Sequence, residues 1–108
     1  MTNERYEQVV GYMHEEADKI VAKKRPDYTQ ESTDVLANFY VAAKEAGISP
    51  LQAWLVHFHK QYSAVARFAK NPSADPSEPM VSRFADLRNY IDLGFALVVE
   101  NTDGGALG

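Results

Sequence analysis

Four cations and a short polar run carry most of the chemistry this chain can offer. Lys60 and Arg67 stand seven residues apart and so share one helix face, while Arg83 and Arg88 lie in the stretch from Glu78 to Glu100. An ammonium and a guanidinium brought together suit a phosphate. Lys60 and Arg83 would form such a pair under the neighbouring loop if the segments that bear them pack side by side. The same stretch holds Asp86, Asn89 and Tyr90. An aspartate beside an apolar seam needs a cation, a metal or a hydrogen-bond donor, which makes Asp86 the candidate catalytic carboxylate and the metal ligand, if any. The alternative is ordinary ion pairing within one helix, Arg83 with Asp86 at i+3 and Arg88 with Asp92 at i+4.

Other groups offer less. Glu4 and Glu7, and Glu15 and Asp18, are each three residues apart and share a helix face, as paired magnesium-binding carboxylates do. Both pairs lie on one helix, on a side about 120° from its apolar centre. They read as a solvated acidic face, because a bundle metal site needs carboxylates from facing helices. His57 and His59 diverge by about 200° on a helix and cannot share a metal, and His14 is alone. Tyr28, Phe39, Trp54 and Tyr62 could stack on a base, but aromatics at helical spacing are usually core. With no cysteine, disulfides, thiolate chemistry and thiolate zinc sites are excluded.

These groups must be positioned by a small fold. The chain of 108 residues is one domain, expected as a helical unit over 1–100 with a flexible tail over 101–108. A net charge of −4 argues against general nucleic-acid binding but leaves room for a local cationic site. No apolar run reaches the roughly 18 residues of a membrane span, and the charged start is unlike a signal peptide. A cytoplasmic protein is expected.

The periodicity is helical throughout. The first helix is expected from about Asn3 to Lys24, with Tyr6, Val9, Val10, Met13, Ala17, Ile20 and Val21 as its stripe. Thr2 or Asn3 caps it, and Pro26 ends it. Gly11 suggests a close helix–helix approach. A polar connector, 26–32, leads to a second helix of about four turns capped from Ser32, Thr33 and Asp34 and closed by Gly47. Ser49 and Pro50 start a third helix running to about Lys70. The proline-rich loop 71–79 reads as a semi-rigid cover. The fourth helix begins near Pro79 or Met80, its seam at Met80, Phe84, Leu87, Ile91, Phe95 and Val98, with Gly94 suited to close packing. The fold class is therefore all-α, an antiparallel four-helix bundle. The long first and fourth helices are apolar at their ends, so a homodimer or higher homo-oligomer is expected to complete it.

A resemblance adds to this reading. Lys23–Tyr28 (KKRPDY), Val35–Phe39 (VLANF), Lys60, and Glu78–Tyr90 with its RFADLRNY occur in an order that resembles a phage and prophage helical family associated with nucleotide modification. That family is similar to the all-α nucleoside-triphosphate pyrophosphatase (MazG-like) superfamily. The resemblance covers about Lys23 to Glu100. It implies an oligomeric helical fold, a nucleotide-linked role in infected bacteria, and a site at Asp27, Tyr28, Asn38, Lys60, Asp86, Asn89 and Tyr90. Two departures matter. Arg83 stands three before Asp86, where the superfamily's Glu-x-x-Asp motif has a metal-binding carboxylate, and His59 precedes Lys60, where related sequences often carry an acid.

Three readings follow. A pyrophosphohydrolase-like enzyme would use Asp86, with Asp27 or Glu78, on magnesium to activate water, while Lys60 and Arg83 steady the phosphates. A non-catalytic protein would bind a nucleotide or small phosphorylated ligand with Lys60, Arg83 and a stacking aromatic, as a sensor or sequestering protein of the anti-defence kind. A plain helical interaction module would use the same polar groups as ion pairs. Arg83 favours binding over magnesium-dependent hydrolysis.

Overall fold

The computed structural model describes residues 1–29, 34–72 and 79–102, with backbone alone for 24–29. It contains four helices, α1 (Asn3–Thr29), α2 (Ala37–Ala46), α3 (Pro50–Lys70) and α4 (Met80–Glu100), and no strand among the described residues. The chain is all-α, and no described helix is long and apolar enough to cross a membrane.

Local chemistry accounts for most of the boundaries. Thr2 caps α1, its hydroxyl accepting from the Arg5 N–H at 3.1 Å. The helix then runs through Pro26 to Thr29, past the stop expected at Lys24. Proline fixes φ at about −65°, which is itself helical, so it removes one hydrogen bond and crowds a carbonyl without forbidding continuation. Asp34 does the capping work ahead of α2: its carboxylate accepts from the Leu36 N–H at 2.9 Å and its carbonyl from Ala37 at 3.2 Å. That turn takes up Val35 and Leu36, so α2 is ten residues long, shorter than expected. Ser32 and Thr33, the loop 73–78 and the tail 103–108 lie outside the described residues.

The α2 exit follows the sequence. Gly47 adopts φ 70°, and the Ile48 and Gly47 N–H groups donate to the Ala43 and Lys44 carbonyls, a Schellman closure that a Cβ would strain. Ser49 and Gln52 then form a reciprocal capping box with Pro50 in the first turn of α3. Two tight signals in succession turn the chain sharply, and α3 packs back along α2.

Helix α4 is the centre of the molecule, with α3 along one side and α1 along another. Helix α2 packs on α3 and meets α4 through side chains: Leu36, Phe39 and Leu97 form the buried cluster, with Tyr40, Trp54, Tyr90, Leu93 and Ala96 against it. The face of α4 that is buried is Ala85, Asn89, Gly94 and Leu97. The bulkier stripe expected as the seam is not: Phe84, Ile91 and Phe95 are exposed. Both faces of α4 are apolar, and spacing alone does not say which is covered. Small residues decide it here, because they let a neighbouring helix come close.

Gly94 shows this directly. A Cβ there would fall 2.5 Å from the Trp54 ring carbons. Trp54 fills that space and donates its indole N–H to the Tyr90 carbonyl of α4. Gly11, in contrast, has nothing within 4 Å of its Cβ position, so the close approach expected there does not occur among the described residues.

Candidate functional site

The expected phosphate pair is placed on different parts of the fold. Helices α3 and α4 are neighbours, as that site required. Lys60, however, is exposed and lies six residues beyond Trp54, so it points about 120° away from the side of α3 that meets α4. Arg83 is half-buried on α4, and both it and Asp86 are already engaged by partners. Asn38 is exposed on α2 and also engaged. Asp27 and Tyr28 fall in the last turn of α1, where side chains are outside the described residues.

Tyr90 belongs to an aromatic cluster. Its ring lies parallel to His57 at 6.0 Å and edge-on to Phe39 at 6.3 Å, and Phe39 meets His57 edge-on at 5.8 Å. Trp54 stacks on Phe58 at 5.1 Å on the same seam. These rings join α2, α3 and α4. His59 faces its own helix, its Nδ1 3.4 Å from the Ser63 hydroxyl. Among the described residues no group of three or more His, Cys, Asp or Glu side chains gathers to hold a metal.

Asn89 is the expected site residue with an open setting. It is buried polar, 7% exposed, on the face of α4 turned toward α1. Its amide is not enclosed by protein but opens on the solvent-filled space beside α1. It lines a groove of about 410 Å³ between α1 and α4, within the range of ligand sites. Asp18, Arg88 and Asp92 supply the other polar groups, and Ala17, Val21, Ala85, Leu93 and Ala96 the apolar floor and walls.

The groove exists because its helix faces carry small residues at the contact. Ala17 and Ala85 are buried against each other's helices and leave no bulky side chain to fill the space beside them. Arg88 bridges the two helices, its guanidinium donating to the Asp18 carboxylate at 3.2 Å. Asp18 is well exposed, so this pair is worth little in stability, within about 1 kcal/mol. A guanidinium has five donors, and one bond to Asp18 leaves others facing the groove.

Sequence reasoning assigned two of these groups elsewhere. Asp18 was expected on a solvated acidic face with Glu15. That face is real for Glu15 and Glu16, which hold Lys19 at 3.6 and 3.5 Å and raise its pKa, Glu16 most strongly. Asp18 is as solvated as expected, at 74% exposure, and its carboxylate also reaches Arg88 of α4. Arg88 was expected to pair with Asp92 one turn on, but its partner is seventy residues away in sequence. The signal that could have found them is a small residue with charges beside it on each helix, Ala17 with Glu16 and Asp18, and Ala85 with Asp86 and, three on, Arg88.

Comparison with protein-family models, with curated proteins and with solved structures yields no match for this chain.

Proposed function

We propose that the protein is a non-catalytic binder of a nucleotide or a nucleotide-like phosphorylated ligand, held in the groove between α1 and α4. The observation that carries this reading is Asn89, a largely buried polar residue whose amide opens on the groove beside Arg88. That amide is open to the groove, so a ligand with complementary donors and acceptors can replace its solvent hydrogen bonds with direct ones. An asparagine amide matches the two-point edge of an adenine. The remaining Arg88 donors suit a phosphate, and the Asp18 and Asp92 carboxylates suit sugar hydroxyls. The resemblance to the nucleotide-modification-associated family supports the same ligand class, and the protein in its working state is proposed to be a homo-oligomer.

The test is thermal unfolding against a panel of nucleotides with and without magnesium, followed by chromatography of the ligand. A ligand present at a hundred times its Kd stabilises by about 2.7 kcal/mol, which for a chain of this size raises Tm by about 10 °C or more. Asn89→Leu, which keeps the volume and removes the amide, is expected to abolish the shift while leaving the unliganded Tm unchanged or higher. Turnover of the nucleotide would replace the binding reading with the hydrolase one, and magnesium would then be its cofactor. No shift with any nucleotide would refute both.

A further inference from the structure

Two exposed apolar stripes lie side by side on the face of the molecule opposite α2. On α3 they are Leu51, Leu55 and Tyr62, at 42%, 55% and 55% exposure. On α4 they are Phe84, Ile91 and Phe95, at 42%, 53% and 54%. The spacing within each set, four and seven on α3 and seven and four on α4, keeps each on one helix face. Their direction follows from the contacts that are made. His57 on α3 meets Phe39 of α2, and Leu97 on α4 packs with Leu36 and Phe39. Each stripe stands on average about 140° round its helix from those contacts. Because α3 and α4 are packed together through Trp54 and Gly94, the stripes form one surface. At its end Leu51 lines a cleft of about 310 Å³ with Pro50, Leu97 and Val98.

We infer that this face is the interface of a two-fold dimer with a second copy of the chain. The area decides the occupant. Large side chains of this kind present about 150–250 Å² each when fully exposed, so six at about half exposure leave roughly 600 Å² of apolar surface. A stable dimer takes about 800 Å² from each partner, of which about 65% is apolar. The patch therefore matches the apolar core of a standard self-complementary interface, with the neighbouring polar side chains as its rim. A two-fold axis through the patch pairs the same surface on both copies and closes the assembly. The ligand groove lies against α1, and Arg88 on its rim stands on α4 between Phe84, Ile91 and Phe95, so the patch and the groove share a border there.

Sedimentation velocity on the full chain tests it. The expected result is a dimer at micromolar concentration, a monomer for the double variant Leu55→Glu with Phe95→Glu, and a dimer for Val56→Glu. Val56 is 66% exposed but stands about 100° round α3 from Leu55. Circular dichroism of the double variant is expected to retain the wild-type helix signal; if that variant is unfolded, the milder Leu55→Ser with Ile91→Ser takes its place with the same expected loss of dimer. A wild-type monomer at sub-millimolar concentration overturns the inference, whether or not it captures anionic phospholipid vesicles. So does a dimer that survives every folded variant on the stripe or is broken equally by Val56→Glu.

Discussion

Helix α4 meets its two flanking helices in opposite ways. Against α3 the contact is aromatic and close: Trp54 lies over Gly94, bonds to the Tyr90 carbonyl and stacks on Phe58. Against α1 the contact is lined by alanines and leaves a polar groove, which the exposed Arg88–Asp18 pair spans. Both contacts depend on small residues on α4, but with different outcomes. At Gly94 the missing side chain is replaced by a ring from the neighbour. Ala85 is itself fully covered, yet beside it and Ala96 a groove stays open among the described side chains of α1. The first arrangement holds the fold together, and the second leaves room for a ligand.

The largest expected effects therefore fall on the α3 side. Trp54→Ala removes the ring that fills the Gly94 notch and one indole hydrogen bond, and is expected to cost about 3–5 kcal/mol, read as a fall in the denaturant midpoint. Gly94→Ala acts on the same contact from the other helix. The added methyl meets rigid ring atoms that cannot swing aside, so a loss of about 1–3 kcal/mol is expected. Gly11→Ala is the counterpart on α1, where the Cβ position is open. It is expected to raise stability by about 0.5–1 kcal/mol through helix propensity alone. Effects of opposite sign at the two glycines would sharpen the contrast; a loss at both would mean that the α1 face is also closely packed.

The residues that were legible in sequence are those whose effect is local. Ser49 and Pro50 start α3, and Gly47 ends α2, because the orphaned N–H and carbonyl groups at helix ends are satisfied by neighbours in sequence. Gly94 was legible as a close-packing site. What was not legible depends on which helices meet. The Phe84, Ile91 and Phe95 stripe has the right period for a core and is exposed, because α1 and α3 pack against the small-residue faces instead. Arg88 could have paired along its own helix or across to α1, and sequence spacing sees only the first choice. Asn89 and Tyr90 were both site candidates, yet one lines the groove and the other belongs to the ring cluster. They are adjacent, and one step along a helix turns a side chain by about 100°.

On the α1 side the expected effects on stability are small. Arg88→Ala removes an exposed ion pair and is expected to cost less than about 1 kcal/mol, a loss that added salt should reduce further. Asp18→Asn keeps the shape and is expected to do as little. If either change costs several kcal/mol, the pair is structural, and the groove would then be a packing defect held shut by charge. If stability is preserved and the nucleotide-induced shift is lost with Arg88→Ala, the two sides of α4 have separate roles.

The finest test uses pH at the far end of α4. The Tyr40 hydroxyl donates to the Glu100 carboxylate at 2.6 Å and accepts from the Asn101 amide at 3.2 Å. The bond to Glu100 holds the phenol proton and raises its pKa above the usual 10.0, with burial adding to the rise and Asn101 opposing it. A folded-state pKa raised above the unfolded one means that the folded chain binds this proton more tightly. The resulting stabilisation is fully present below about pH 10 and is lost as pH rises through the raised value. Lys19, whose pKa is also raised, loses its contribution in the same alkaline window from the α1 side. Tyr40→Phe removes the first term and leaves the second, so denaturant midpoints at about pH 8 and about pH 11 separate them. The wild type is expected to lose more stability over that interval than Tyr40→Phe. Identical losses would mean that the bond between α2 and the end of α4 contributes nothing, and that those two elements are joined by apolar and ring contacts such as those of Leu36, Phe39, Tyr90 and Leu97.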